Sequence, residues 1–358
     1  MTQHQRIVHD AGGLNSGTWP VVTPEHFITP VERFFTRSHA QIPVIDPATW
    51  RLDVTGLIAQ PLRSSLSELA QRFPSHSVDA TLVCAGLRRA EFLSLGPLPG
   101  ELPWGPEPVS NGAWSGVSLA DVLRAAQPTA EARYVEFTGL DSVEREGRHF
   151  GFGGSIALDK AMSGEVLLAT ALNGAPLPPT HGFPLRTIVP GWIGARSVKW
   201  LGRITLLATP SENYFQSKAY RTQREVDPAN PRDVSAGDAL AEVPVNAVIV
   251  EPAADATVSA GPLTLRGWAM GSANRPLASV EVSSDGGYQW TRSRITVPGT
   301  GWTWSFWEAA VDLEPGPHIL AVRATDSAGV TQPAELGDTW NVKGYANNAW
   351  YRVAIVAT

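Results

Sequence analysis

The chain contains only one cysteine, Cys84, among its 358 residues. One cysteine cannot form an intrachain disulfide, and it cannot supply the several thiols of a zinc finger, an iron–sulfur cluster or a Cys-x-x-Cys redox pair. The eight histidines are scattered, so a metal site built from histidines is not indicated. The thiol is therefore a buried structural group, a nucleophile, or one ligand to a soft metal whose other ligands come from a cofactor.

Charged residues and long apolar runs are also scarce. Only 17% of the residues are charged, and the formal net charge is −6, so no basic excess is available to neutralise the phosphates of a nucleic acid. No run of 18 apolar residues is present, which argues against a membrane-spanning helix. The segment after Met1 shows neither a signal-peptide pattern nor a twin-arginine pair, and this predicts a cytoplasmic protein.

Glycine and proline are abundant, at 33 and 29 residues, or about one residue in six. Average usage of the two is roughly 12%, so this composition favours short strands and many turns over long helices. Hydrophobic residues make up 43% of the chain, which is enough to form real cores. At roughly 100–200 residues per domain, the length indicates two domains.

Residues 1–225 predict a domain that mixes strands with short helices. Alternating and β-branched segments predict strands over residues 49–56, 80–84 and 166–172. Capping residues and the prolines that follow them predict helices over residues 66–72, 119–126 and 155–162, the first opened by a capping box at Ser65 and Glu68. Asn173 and Gly174 predict a tight turn. Residues 151–154 lack the third glycine of a dinucleotide-binding fingerprint, so we interpret them as a plain turn.

The second part of the chain predicts a different architecture. Residues 226–243 are polar and proline-containing, and we interpret them as a linker. Residues 244–358 contain several short strands separated by glycine-rich turns, which is typical of an immunoglobulin-like sandwich. Seven of the 13 tryptophans lie there. The spacing predicts Trp302 and Trp304 on one face of a strand, packed against the first domain or a second subunit.

Cys84 lies where a predicted strand ends in a loop, a position at which functional sites are frequent. Arg88 and Arg89 follow within five residues. Because nearby positive charge favours the thiolate form, the local sequence favours a functional thiol over a structural one.

Several segments of the sequence resemble one known family, and they occur in the same order as in that family. Residues 34–39, 84–89, 181–186 and 189–201 resemble the sulfite oxidase family of molybdenum enzymes, and residues 244–247, 283–290 and 340–350 resemble the dimerisation domain of that family. The resemblance covers nearly the whole chain. It implies an α+β fold: a mixed α/β molybdopterin-binding domain over residues 1–225, then the linker, then an all-β immunoglobulin-like domain that forms a homodimer.

The resemblance also implies a cofactor and a set of site residues. One cysteine thiolate, matched by Cys84, and two dithiolene sulfurs of molybdopterin bind molybdenum in this family, so a single cysteine suffices. The matching cofactor-contacting positions are Phe35, Thr36, Arg37, Ser38, His39, Asp141, His181, Arg186, Ser197, Val198 and Lys199. The matching positions for binding and oxidising a small anion are Arg37, Arg89, Trp104, Tyr220 and Lys343.

Four positions depart from the family pattern. Leu87 and Ser38 each stand where asparagine is usual, and Ala219 stands where an acidic residue usually precedes the tyrosine. Lys343 replaces an arginine, and lysine lacks the bidentate geometry with which arginine binds an oxyanion. We therefore expect sulfite to bind more weakly here than in typical members.

The activity implied by the resemblance is oxidation of sulfite to sulfate by oxygen-atom transfer. No haem-attachment motif is visible, so we expect a haem-free enzyme whose two electrons go to an external acceptor, either dioxygen or a cytochrome c. One alternative is a related molybdoenzyme acting on another sulfur compound, of sulfane sulfur or sulfoxide type. The other is a family member with little or no catalysis that serves as a binding module.

Overall fold

The computed structural model describes residues 6–225, 230–231 and 233–358. The first part of the chain mixes strands and helices, and the second is almost entirely β. No helix among the described residues is long and apolar enough to span a membrane. The elements of the first part are β1 (Arg6–Val8), β2 (Ser16–Thr18), β3 (Leu52–Gly56), β4 (Leu62–Ser64), α1 (Leu66–Arg72), β5 (Ser75–Val83), β6 (Val109–Ser118), α2 (Leu119–Ala126), β7 (Tyr134–Gly139), β8 (Val143–Arg145), β9 (Arg148–Phe150), β10 (Gly153–Ala157), α3 (Leu158–Met162), β11 (Leu167–Leu172), β12 (Ala175–Pro176), β13 (Arg186–Ile188), β14 (Leu201–Leu207), α4 (Tyr214–Ser217) and β15 (Arg221–Thr222).

Two five-stranded sheets form the first part. One has the strand order β10-β7-β14-β3-β4, in which only β14 and β3 run parallel. Its alternating residues, such as Val54, Phe137 and Ile204, are fully buried in one apolar core. The other has the order β12-β11-β6-β5, with β13 also paired to β11. Its long strand β5 ends at Val83, which places Cys84 at the exit of the sheet.

Several local predictions are confirmed. Helices α1 and α2 begin and end where the sequence places them, and α1 carries the reciprocal capping box of Ser65 and Glu68. Asn173 and Gly174 both have positive φ, at 53° and 78°, and connect β11 to β12. These residues favour that conformation because asparagine and glycine tolerate the left-handed region.

The predictions for residues 151–162 are wrong in part. Helix α3 begins only at Leu158, because Ser155 is the centre of strand β10 and pairs with Glu136 of β7. Gly153 and Gly154 belong to this strand and not to a plain turn. A Cβ at Gly153 would lie 2.5 Å from the carbonyl oxygen of Phe137, so glycine is needed for close packing rather than for a turn.

The second part is a two-sheet sandwich. The elements after residue 233 are β16 (Asp238–Ala239), β17 (Asn246–Glu251), β18 (Ala256–Val258), β19 (Gly261–Met270), β20 (Leu277–Ser283), β21 (Thr291–Arg292), β22 (Arg294–Val297), β23 (Ser305–Leu313), β24 (Gly316–Asp326), α5 (Leu336–Thr339) and β25 (Tyr351–Ala357). The two sheets of the sandwich have the orders β17-β19-β23-β22 and β18-β25-β24-β20-β21, and between them lies a core that includes Trp268, Phe306 and Leu320. This architecture matches the predicted all-β domain.

The described part of the predicted linker is an extended crossover that contacts the first domain. Residues 226–229 and 232 lie outside the described residues. Strand β16 pairs with β15, and the Ala241 carbonyl accepts a hydrogen bond from the amide of Ile193 at 2.9 Å. The amide of Val243 donates to the Gly191 carbonyl at 2.9 Å. The two domains are therefore joined by backbone hydrogen bonds along this segment.

The prediction that Trp302 and Trp304 share one face of a strand is wrong, because both precede β23 in a turn. Their packing against the first domain is present. The amide of Trp304 donates to Thr81 Oγ1 at 2.9 Å, and its indole Nε1 donates to the Phe27 carbonyl at 3.0 Å. The Nζ of Lys160 lies 4.3 Å from the centre of the Trp302 ring.

Candidate functional site

A cavity opens beside the end of β5. Leu82 of β5 and Arg186 of β13 come from one sheet of the first domain, and the other lining residues lie in the segments between strands. The lining residues are Phe34, Phe35, Thr36, Arg37, Ser38, His39, Leu82, Cys84, Ala85, Asp141, Phe152, His181, Arg186, Gly194, Ala195, Ser197, Lys199, Trp200 and Tyr220. Twelve of the predicted site residues are among them, although the sequence scatters these over more than 180 positions.

Cys84 lines this cavity immediately after the last residue of β5. The amide of Gly86 donates a hydrogen bond to its Sγ at 3.5 Å, and the Leu87 amide closes a tight turn onto its carbonyl. Burial raises the pKa of the Cys84 thiol, while the charges of Arg37 and Arg89 act in the opposite direction. Metal binding requires the thiolate, so a cation at the sulfur would displace this proton.

Arg88 does not act on the thiol as the sequence suggested. It has φ of 61°, and this left-handed backbone turns its side chain away from Cys84 into the contact between the domains. Its guanidinium donates to Asn246 Oδ1 at 2.8 Å and to the Ala349 carbonyl at 2.9 Å. It also forms a two-point ion pair with Glu91, at 2.7 and 2.8 Å. Arg88 is therefore a structural link between the domains.

Three cations converge on the cavity. The buried guanidinium of Arg186 donates to the carbonyls of His181 and Ser197, at 2.9 and 3.0 Å. Lys199 Nζ donates to Ser38 Oγ at 2.7 Å, and Arg37 Nη1 donates to the Ser38 carbonyl at the same distance. Among the described residues, no ion pair joins any of the three cations to a carboxylate.

The pKa values of Arg186 and Lys199 reflect burial without a carboxylate partner. Burial lowers the pKa of Arg186 to about 9. Burial, with the charge of Arg186, lowers the pKa of Lys199 well below its ordinary value. Asp141 is the one carboxylate among the described lining residues, and its Oδ1 accepts the amide of Phe152 at 2.9 Å. Because buried cations without partners are costly, the cavity is suited to an anionic ligand.

Two histidines contribute neutral rings. Burial is the main reason that the pKa of His39 lies well below its ordinary value and that the pKa of His181 falls to about 3. His181 packs edge-on against Phe34, with the ring centres 5.4 Å apart. His39 stacks on Phe152, with the ring centres 4.8 Å apart. Both imidazoles are therefore available at neutral pH as hydrogen-bonding groups without added charge.

Tyr220 connects the cavity to the second domain. Its Oη lies 3.1 Å from His39 Nε2 in a hydrogen bond, and its ring stacks on Tyr345 of the second domain, with the ring centres 5.3 Å apart. The φ of Tyr220 is 52°, an uncommon value for a bulky residue that tends to occur at functional sites. Burial raises the pKa of the phenol to about 12, so it stays protonated as a donor.

The remaining predicted lining residues are held by the framework of the domain. The amide of Phe35 donates to Ser110 Oγ at 3.1 Å, and Thr36 Oγ1 lies 3.0 Å from Ser16 Oγ. Ser197 Oγ accepts the amide of Val189 at 3.0 Å. Their side chains are thus fixed in place before any ligand binds.

Val198 does not line the cavity. Its side chain is buried in the apolar core of the first domain, and its amide donates to Thr187 Oγ1 at 2.6 Å. Its contribution is to hold the flanking Ser197 and Lys199 in position.

Arg89, Trp104 and Lys343 lie beside the cavity rather than in its lining. The guanidinium of Arg89 rests against Gly86, where a Cβ would approach it to 2.9 Å, and donates to the carbonyls of Lys343 and Leu102. Trp104 is fully buried near His9, and its Nε1 has no hydrogen-bond partner among the described residues. Lys343 Nζ lies 3.2 Å from a carboxylate oxygen of Glu101.

Sequence reasoning missed Glu101 and Tyr345. Glu101 pairs with both Arg89 and Lys343, and Tyr345 stacks on Tyr220. Both belong to loops whose partners are remote in sequence, so no periodicity or motif marks them. Only the chain fold brings them to the site.

The side chains of the cavity fit a molybdenum cofactor better than a bare metal ion. The described residues contain no group of three or more His, Cys, Asp or Glu that could hold a metal ion by themselves. The cavity does combine one thiol with three cations and several hydrogen-bonding groups. These residues fit a cofactor that brings its own sulfur ligands and a phosphate.

Comparison with known proteins gives both domains a match. A family model described as oxidoreductase molybdopterin binding domain matches residues 39–215, and one described as Mo-co oxidoreductase dimerisation domain matches residues 237–358. Sulfite oxidase of Gallus gallus is 37% identical over 335 residues, which cover 92% of this chain and 73% of that protein. Mitochondrial sulfite oxidase of Homo sapiens is 36% identical, over 96% of this chain and 64% of that protein.

Two further relatives have different activities in their names. An NAD(P)H nitrate reductase of Hordeum vulgare is 36% identical over 94% of this chain and 40% of its own length. The crystal structure of the sulfane dehydrogenase SoxCD from Paracoccus pantotrophus superposes with a TM-score of 0.80 at 26% identity. It covers 98% of this chain and 87% of that chain.

Fold, cavity and family models together define a molybdopterin-binding oxidoreductase with a dimerisation domain. The predicted α+β class, a mixed first domain followed by an all-β domain, is confirmed. Within this class, the chain belongs to the sulfite oxidase family of molybdenum enzymes, as the resemblance in sequence predicted. It spans less than two thirds of the human relative's length and 73% of the chicken relative's.

Proposed function

We propose that this protein binds molybdenum molybdopterin in the cavity and oxidises sulfite to sulfate. The observation that carries the proposal is that one cavity is lined both by the sole cysteine and by Arg37, Arg186 and Lys199, none of which forms an ion pair among the described residues. A thiolate beside positive charge suits a soft metal held by an anionic cofactor. The sulfite oxidases among the relatives support the choice of substrate.

The residues divide into those that hold the cofactor and those that hold the substrate. Cys84 would ligate molybdenum, and Arg186 and Lys199 would bind the phosphate. Hydrogen bonds to the pterin would come from His39, His181 and other members of the predicted cofactor set. The members that line the cavity are Phe35, Thr36, Arg37, Ser38, His39, Asp141, His181, Arg186, Ser197 and Lys199, while Val198 supports its two neighbours from the core. When bound, this cofactor supplies two-electron oxygen-atom transfer.

On the substrate side, positive charge attracts a small anion and the protonated phenol of Tyr220 offers it a hydrogen bond. Arg37 lines the cavity, while Arg89 and Lys343 adjoin it, so their summed field lowers the energy of sulfite there even though the whole protein is acidic. Trp104 closes the side beside Arg89. The hydrogen bond between His39 Nε2 and Tyr220 Oη fixes the phenol of Tyr220.

We further propose a homodimer and an external electron acceptor. The homodimer proposal is supported by the match of residues 237–358 to a dimerisation domain. The electrons are proposed to go to dioxygen or to a cytochrome c. Light scattering at micromolar concentration should give twice the chain mass, and a monomer would contradict the first of these proposals.

A second candidate function is oxidation of a sulfane sulfur. It is favoured by the likeness to a sulfane dehydrogenase over 98% of this chain. The two functions differ in their substrates, because free sulfite is small and a protein-bound sulfane needs a partner surface. The nitrate reductase relative makes nitrate the third substrate for comparison.

The test combines metal analysis with turnover. The purified protein should contain close to one molybdenum per chain and reduce ferricyanide when sulfite is added, faster than with thiosulfate. Oxygen and cytochrome c should then be compared as acceptors. The variant Cys84→Ser should fold and retain its oligomeric state but lose turnover. Molybdenum-free protein without sulfite oxidation would refute the proposal, and an active Cys84→Ser variant would refute the ligand.

A further inference from the structure

We propose that Glu101 is a specificity-determining residue, whose carboxylate occupies the position of an oxyanion between Arg89 and Lys343 and disfavours small dianions there. The proposal rests on the function proposed above, since it concerns the substrate side of the same site. It assigns a role to a residue that no sequence motif marks.

The carboxylate of Glu101 lies between two cationic side chains, as a bound anion would. One carboxylate oxygen of Glu101 lies 3.2 Å from Lys343 Nζ, and the other lies 3.4 Å from Arg89 Nη2. The exposed fractions of the three side chains are only 15%, 13% and 5%, respectively, so water screens these charges weakly. Glu101 thus bridges two cations that come from different domains.

The two cations differ in their freedom to move. Arg89 is fixed, because it also donates to the carbonyls of Leu102, Lys343 and Gly344 and lies 4.9 Å above the Tyr345 ring. Among the described residues, Lys343 forms an ion pair with Glu101 alone, and no hydrogen bond to another group holds its side chain. Removing the carboxylate would therefore release the lysine to meet an added anion.

The field of Glu101 extends to the cavity. Burial raises the pKa of Tyr220 to about 12, and the Glu101 charge contributes to that increase. Tyr220 stacks on Tyr345, which itself lies beneath Arg89. The stacked rings of Tyr345 and Tyr220 therefore lie between the Arg89–Glu101 ion pair and the cavity, which Tyr220 lines.

The consequence is a preference based on charge. With Glu101 present, the net charge of the trio formed with Arg89 and Lys343 is +1; without it, the net charge is +2. Electrostatic energy is proportional to the charge of the ligand, so loss of Glu101 strengthens binding of a dianion twice as much, in free energy, as binding of a monoanion at the same place. The factor by which the association constant of the dianion increases is therefore the square of the factor for the monoanion.

The experiment measures binding of sulfate and nitrate to the purified full-length protein by calorimetry at constant ionic strength. Wild type is compared with Glu101→Gln and Glu101→Ser, which remove the same charge in two ways. The matched control is Glu335→Gln, which removes one arm of an exposed pair with Arg352 at 3.5 Å. Melting temperatures establish that the variants are folded.

We expect both Glu101 variants to bind sulfate about tenfold and nitrate about threefold more tightly, and the KM for sulfite to fall more than kcat changes. The control should shift either affinity less than twofold. Unchanged sulfate affinity in a folded Glu101 variant would overturn the proposal, as would equal gains for the two anions. If instead the proposed function is wrong, the wild-type protein itself will contain no molybdenum and will not oxidise sulfite.

Discussion

Replacement of Arg88 by methionine tests the link between the domains. The side chain of Arg88 is fully buried, and its guanidinium contacts Glu91, Asn246 and the carbonyls of Ala349 and Trp350. Methionine has a similar length but leaves these acceptors without their donor. Asn246 Oδ1 and the Ala349 carbonyl are buried, and leaving a buried acceptor without a donor costs about 1–3 kcal/mol, so we expect a loss of about 2–6 kcal/mol in the free energy of unfolding.

Arg294→Met is the matched control, because it removes the same group from the surface. Arg294 is 70% exposed and pairs with Glu308, so its loss should cost no more than about 1 kcal/mol. Both variants are measured by urea unfolding under identical conditions. Equal losses for the two variants, or a loss below about 1 kcal/mol for Arg88→Met, would show that Arg88 does not carry the interdomain contact.

Three further predictions concern the cavity and the fold. Lys199→Met removes a buried cation, so the molybdenum content should fall about tenfold by elemental analysis; unchanged content would contradict its role. Because the pKa of His181 is about 3 in the fold and 6.5 when unperturbed, the unfolded chain binds the proton more readily between these values, and the free energy of unfolding decreases as the pH is lowered from 6.5 to 3. His181→Asn should weaken that pH dependence in urea titrations, and an identical slope would argue against it. Gly56→Ala should lower the melting temperature more than Gly329→Ala: both glycines have positive φ, but only at Gly56 would a Cβ overlap the Leu206 carbonyl.

The sequence predicted the features that are local or that follow a family motif. The capping box at Ser65 and the turn at Asn173 depend on neighbours within three residues, so the local sequence is enough to predict them. Cys84 and the cavity residues matched motifs in order. The start of α3 was misplaced because Ser155 resembles a helix cap, whereas its pairing with Glu136 of β7 decides its conformation.

Features that depend on contacts between distant segments could not be predicted. Arg88 and Arg89 are neighbours in sequence, yet the left-handed backbone at Arg88 directs one side chain into the interface while the other lies beside Gly86. Glu101 meets Lys343 across 242 positions of sequence. Local charge patterns do not contain that information, because the pairing arises only when the domains pack together.

X-ray absorption at the molybdenum edge of the purified protein tests whether Cys84 is a ligand of the metal. We expect three sulfur ligands per molybdenum, one from Cys84 and two from the cofactor, and two in any molybdenum retained by Cys84→Ser. Two sulfurs in the wild-type protein, or the same number in both proteins, would contradict a site completed by the single cysteine.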